Sequence, residues 1–237
     1  MKLSVCVSIL AVFCSARGYC EEPATLEYRP AKGKTVRYKE VVTAPGRIDV
    51  WTLVSDYEIQ KLTANGQFVV QQTVKTFRHS VQGQETELPA TSKTTRTYDR
   101  IGKLVDSEFF TVQGGPSPRV GMLWDQMANP IFPSRPVGNG ETWSVKVENP
   151  AVTENTYAVN GTFLGKVQLN GGTVWKVKQT AKANTDDNGH TMSFSAVFYI
   201  SPVDGTIVQS ESDVQDVLYP NGTTASYHSK RTLMEPE

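Results

Sequence analysis

The chain has 237 residues, 24 basic side chains against 24 acidic ones, and a hydrophobic share of 38%. A near-neutral surface of mixed sign lacks the basic stripe that neutralises phosphates, which argues against a nucleic-acid partner. A chain of this length can bury a sizeable core without help from disulfides.

The first twenty residues read as a cleaved signal peptide. Lys2 supplies a positive start, and Leu3 to Phe13 is an apolar stretch too short to span a bilayer. Small residues at the required places allow cleavage after Ala16, Gly18 or Cys20. Phe13 precedes Cys14 and Tyr19 precedes Cys20, neither small, which argues against lipidation. All three cysteines, Cys6, Cys14 and Cys20, fall in this segment. The mature domain, residues 21–237, then has no internal disulfide, and an exported chain without one fits a bacterial periplasmic or secreted protein. Loss of Lys2 and Arg17 leaves 22 basic against 24 acidic groups, a net charge of −2. No later apolar run approaches the length of a transmembrane segment.

From Thr35 onward the pattern is strand after strand. Val36 to Thr43 and Ile48 to Thr63 are rich in Val, Ile, Tyr and Thr, and the second is long enough to predict a bend or bulge near Ser55-Asp56. Asn65-Gly66 predicts a tight hairpin into the alternating Phe68–Val74, and Gln82-Gly83 another turn. Thr91 to Tyr98 is threonine-rich with little to bury, which predicts an edge strand. Asp99–Gly102 turns into Leu104 to Val112.

A lone helix signal follows. Val120, Leu123, Trp124 and Met127 form one apolar stripe at helical spacing, Ser117 suits the N-cap, Pro118 the first turn, and Asn129-Pro130 the stop. Pro133, Pro136, Gly138 and Gly140 predict an extended lead into Trp143–Val147. Strand grammar then resumes: Thr156–Leu164, Thr173–Ala181, Met192–Ile200, Ile207–Tyr219 and Thr224–Met234, with turns at Asn170-Gly171, Asn188-Gly189 and Asp204-Gly205. Trp175, Val177 and Ala181 share one face, as do Met192, Phe194, Ala196, Phe198 and Ile200. Asn160-Gly161-Thr162 and Asn221-Gly222-Thr223 are formal glycosylation sequons that read better as Asn-Gly hairpin turns.

The two halves look alike. Gln72-Thr73-Val74-Lys75 resembles Gln179-Thr180-Ala181-Lys182, and Gly102 with Leu104–Glu108 resembles Gly205 with Ile207–Glu211, in the same order. The expected architecture is mainly β: a strongly curved antiparallel sheet or open barrel built from two similar meanders with one central α-helix. Half-repeats at about 35–113 and 141–234 would be joined by the helix-containing linker 114–140.

Chemistry is sparse. His79, His190 and His228 have no metal-ligand spacing, and no nucleophile elbow, Walker loop or dinucleotide fingerprint is present. Ser226, His228 and Lys230 share a strand face that reads as solvated, and Asp186-Asp187 as turn chemistry. Glu211 and Asp213 could pair with Lys176 and Lys178 if those strands are neighbours. The sequence therefore implies neither an enzyme nor a cofactor. It does hold much apolar surface, which either forms an ordinary core or lines a cavity under the helix. The candidate lining is Val120, Leu123, Trp124, Met127, Phe194 and Phe198, with Met122 and Met127 suited to an adaptable wall. The expected partner is an apolar or lipid ligand, or alternatively an envelope protein docking on the Thr91–Tyr98 edge.

Two sets of residues carry a family resemblance. Lys32-Gly33-Lys34-Thr35-Val36-Arg37-Tyr38 and the stretch Pro133-Ser134-Arg135-Pro136-Val137 to Trp143 resemble bacterial secreted proteins of unknown function. The meander with one central helix is similar, more distantly, to the incomplete barrels of periplasmic lipoprotein carriers. That resemblance implies a fold and carries over no catalytic residues.

Overall fold

Period-two alternation and Asx-Gly turns build nearly all of the structure, a computed structural model that describes residues 22–89, 92–108 and 115–235. The predicted signal peptide with its three cysteines lies outside the described residues, as does the end of the predicted strand Leu104 to Val112. The strands are β1 (Thr35–Thr43), β2 (Asp49–Leu62), β3 (Phe68–Val81), β4 (Gln84–Leu88), β5 (Lys93–Tyr98) and β6 (Leu104–Glu108). After helix α1 (Pro118–Met127) come β7 (Thr142–Glu148), β8 (Thr156–Leu169), β9 (Gly172–Asn184), β10 (Thr191–Ile200), β11 (Ile207–Leu218) and β12 (Thr224–Met234).

All twelve strands join one curved antiparallel sheet that does not close. Its order is β6-β5-β3-β2-β1-β12-β11-β10-β9-β8-β7, with β4 paired to the far half of β3. The two meanders meet where β1 pairs with β12 and spread in opposite directions from there. The long β2 carries the predicted bulge, at Val54/Ser55.

This order dictates the role of the linker. The first meander ends at one edge of the sheet and the second begins at the other. They are ten interstrand steps apart, roughly 48 Å along the sheet at about 4.8 Å each. The connection has to cross the concave face, and α1 lies on that crossing. Ser117 Oγ accepts from the Val120 amide at 3.3 Å, Pro118 occupies the first turn, and the Asn129 side chain donates to the Asp125 carbonyl at 2.9 Å beyond the last turn.

The crossing segment fills the concavity of the second meander. Leu123, Met127, Ile131, Phe132 and Val137 pack in one cluster with Val159, Val177, Met192, Phe198 and Ile200, all of them at most 1% exposed. Each such side chain contributes about 1.5–3 kcal/mol relative to exposure. Gln179, fully buried on β9, ties the segment down. Its amide donates to the carbonyls of Met127 (3.3 Å) and Asn129 (3.2 Å), and its oxygen accepts from the Ile131 amide at 2.9 Å.

An N-terminal strap completes the fold. Ala24 bridges Val137, Leu26 is buried, and the Tyr28 and Arg29 amides donate to the carbonyls of Arg100 (3.0 Å) and Asp204 (2.9 Å). The strap thus joins the β5–β6 turn to the β10–β11 turn. Both turns need glycine there: a Cβ on Gly205 would fall 2.6 Å from the Glu27 carbonyl oxygen, and one on Gly102 would collide with Pro130 and Tyr28.

Three local expectations are corrected. Asn160-Gly161 lies inside β8 and makes no turn; Gly161 sits opposite Trp143 across the ladder, and the indole covers it where a Cβ would stand. Asn221-Gly222 is a hairpin turn, between β11 and β12. Lys93–Tyr98 is not an edge, because β5 has β3 on one side and β6 on the other; Arg96 and Tyr98 give it a buried face. Lastly, β10 separates β9 from β11, so Glu211 and Asp213 pair instead with Lys230 (3.0 Å) and His228 (2.9 Å) of β12, on the exposed face.

Candidate functional site

The concave face of the first meander is packed differently from that of the second. Phe68, Val70 and Tyr98 form a small cluster of their own, separate from the main core. Between the two clusters the strands β1, β2, β3, β5 and β12 enclose a cavity of about 110 Å³. Its walls are mostly apolar: Val36 and Tyr38 from β1, Tyr57 and Ile59 from β2, Phe68 and Val70 from β3, and Ile207 from β11. Tyr28 of the strap covers it, packed between Phe68 and Phe132 at ring-centroid distances of 5.5 and 5.0 Å, with its hydroxyl donating to the Pro130 carbonyl at 3.3 Å.

Two cations are buried beside this cavity. Arg96 on β5 pairs with Asp125 of α1 and donates to Gln72 Oε1 at 2.6 Å, linking the helix to the sheet. Arg231 on β12 lies directly across the ladder from Glu40, and their charged ends are 3.5 Å apart. Its guanidinium sits 5.9 Å from the ring centres of both Tyr38 and Tyr57. Burial works against the charge of each arginine, yet the neighbouring carboxylates outweigh it and raise both above the ordinary arginine value, so both remain cations. Burial likewise pushes the phenols of Tyr28, Tyr38, Tyr57 and Tyr98 above their usual range, which keeps them neutral.

At the mouth, the Lys34 ammonium pairs with Asp204 and donates to Thr206 Oγ1 at 3.1 Å. The same residues form the inner wall of a wide surface groove of about 710 Å³ that continues past Leu233 and Met234. The site is therefore a small, aromatic-walled hole with an ion pair at its mouth and an open groove outside it.

The sequence-derived lining lies elsewhere. Val120, Leu123, Met127, Phe194 and Phe198 are buried in the main cluster, packed by the crossing segment. Trp124 is half-buried and stacks on Tyr227 at 5.2 Å, next to Trp51, which is edge-on to Tyr227 and stacked on His79. None of the six lines the cavity. Val36, Tyr38, Tyr57, Ile59, Phe68, Val70, Tyr98 and Ile207 of the wall lie within predicted strands, whereas Tyr28, Lys34, Asn129 and Asp204 lie outside them, and the sequence-derived lining includes neither Arg96 nor Arg231. Their signal was a lone charge on the inward phase of an alternating strand, as in Tyr227-Ser229-Arg231-Leu233. His228 and Lys230, by contrast, lie on the outer face as expected, half-exposed beside exposed carboxylates.

No protein-family model matches this chain, and no curated protein matches it. Among solved structures it is similar to lipovitellin, from work on lipid–protein interactions, at 13% identity and a TM-score of 0.43 over 86% of this chain. It spans about a quarter of that chain (25%). It is also similar to the hypothetical lipoprotein YmcC from Escherichia coli K12, at 10% identity and a TM-score of 0.30, over 88% of this chain and 90% of that one. Both likenesses are distant and concern the fold.

Proposed function

We propose that this is an exported, non-enzymatic binding protein of the cell envelope, which takes the apolar end of an amphipathic molecule into the cavity beneath Tyr28. The observation that carries the reading is the contrast between the meanders. One concave face is filled by the crossing segment, whereas the other keeps an apolar hole opening on a groove. Size bounds the guest. A cavity of about 150 Å³ holds benzene, so 110 Å³ takes a short chain end or part of a ring, and the rest of the molecule would lie in the outer groove.

The test is native mass spectrometry and solvent extraction of protein purified from its own envelope, alongside a Val70→Phe variant that fills the hole from its wall. A non-covalent apolar adduct on the wild type, lost or displaced in Val70→Phe, is expected. A clean apo mass for both, with no fluorescence gain from an apolar dye such as N-phenylnaphthylamine, would end this reading.

A further inference from the structure

Arg231 leaves its Nε–H without an acceptor. A guanidinium carries five N–H donors and cannot shed its charge, so a buried one normally has several acceptors. Arg231 is 9% exposed, its Nε is buried with no hydrogen-bond partner, and among the described residues its carboxylate contact is the 3.5 Å approach to Glu40. Glu40 in turn spends its other oxygen on the Ser229 hydroxyl at 2.6 Å. Stacking against Tyr38 and Tyr57 accommodates the charge on the faces of the group but satisfies none of its N–H edge. Arg231 is also a wall of the cavity, among side chains that are otherwise mostly apolar.

Charge balance then decides what kind of acceptor belongs there. The buried ions already cancel in pairs, Arg231 with Glu40 and Arg96 with Asp125, and Lys34 with Asp204 does the same at the mouth. A carboxylate or phosphate entering this space would bring an uncompensated negative charge near the partly buried carboxylates of Glu40 and Asp125, with nothing to offset its own desolvation cost. A neutral oxygen meets the need without that penalty. We propose, building on the binding role above, that the inserted end of the ligand bears a neutral carbonyl or ester oxygen, which accepts from Arg231 while its ring or short chain packs against Phe68, Val70 and Ile59.

The test uses the full mature chain and three probes of nearly equal size: methyl benzoate, benzoate and ethylbenzene. Affinities are read by isothermal titration or by displacement of a bound apolar dye, on wild type and on Arg231→Lys, which keeps the charge opposite Glu40 but loses the planar fork. Methyl benzoate should bind the wild type at least about tenfold more tightly than ethylbenzene or benzoate, the step expected of a hydrogen bond from a charged donor. In Arg231→Lys that advantage should shrink to about threefold or less. Equal binding of methyl benzoate and ethylbenzene would leave the apolar cavity standing and overturn the acceptor role of the ligand. Preferred binding of benzoate would overturn its neutrality. Failure of all three probes, together with a clean apo mass, would remove the binding role itself.

Discussion

Replacing Gln179 by leucine separates a fixed plug from a movable lid. Gln179 supplies three buried hydrogen bonds to the chain leaving α1: two donated to the Met127 and Asn129 carbonyls and one accepted from the Ile131 amide. At about 1 kcal/mol net per bond, their loss costs about 3 kcal/mol, and stranding the Ile131 N–H adds up to about 2 kcal/mol more. Leucine is close enough in volume to leave no large hole, so packing neither adds much nor rescues much. A domain of this size loses about 2–4 °C of Tm per kcal/mol, so Gln179→Leu should unfold about 6–20 °C below wild type. Gln168→Leu, at an exposed position on β8, should stay within about 0.5 kcal/mol and serves as the control. Thermal unfolding followed by circular dichroism measures both, and hydrogen exchange reports on α1 separately. If Gln179→Leu melts within about 3 °C of wild type, with fast exchange confined to the helix, the crossing segment is loosely held and the reasoning fails.

The ion pair between Arg96 and Asp125 should show the asymmetry of buried charges: Asp125→Leu strands a buried cation and costs about 3–5 kcal/mol, whereas adding Arg96→Leu recovers at least half of it, measured in a double-mutant cycle by urea titration. Gly161→Ala forces a Cβ into the Trp143 indole, whose Nε1 donates to the Ile131 carbonyl at 3.1 Å; it should destabilise by about 1–3 kcal/mol and shift the tryptophan emission. Burial alone would raise the pKa of Asp204, but Lys34 and Thr206 outweigh it and hold the carboxyl below its ordinary value. A folded-state value below the unfolded one gives stability that is complete above the ordinary carboxylate pKa of about 4 and disappears as pH falls through the lower folded value. Asp204→Asn should therefore flatten the acid limb of the stability curve below about pH 4 and leave its slope near pH 7 unchanged.

The sheet was legible because its signals are local. Asx-Gly turns and two-residue alternation act within a few residues, and so do the Ser117 cap and the Pro118 start, which gave α1 nearly its true bounds. The errors came where a distant partner overrides a local preference. Asn160-Gly161 would turn if left alone, but the Trp143 side chain needs a bare backbone to lie on, and the ladder continues through it. Lys93–Tyr98 looked too polar to bury because the carboxylate that balances Arg96 is on α1, about thirty residues away in the chain. Gln179 interrupts the face otherwise made of Trp175, Val177 and Ala181. A lone amide in such a row is the mark of a buried anchor, and it was readable, although what it anchors was not.

The same glutamine bears on why the cavity lies away from the apolar stripe of α1. Gln72 and Gln179 occupy matching places in the two meanders, and both face the concave side. Gln179 meets backbone, since the crossing segment lies over β9, and apolar side chains of that segment fill the space around it. Gln72 meets Arg96 at 2.6 Å and is 3.2 Å from Ser55 Oγ, so among the described residues it holds side chains of the sheet and not backbone of the crossing segment. Over that half the strap and Tyr28 share the cover with the end of the crossing segment, whose Asp125 pairs with Arg96, and the cavity stays open beneath Tyr28. The hole therefore lies where the apolar filling stops: the crossing segment packs its apolar side chains against the second meander and presents Asp125 and Asn129 to the first. The apolar stripe Val120–Met127 marks where the plug is. The inward charge of Arg231 marks a wall of the hole, and that of Arg96 marks where the helix is tied to the sheet.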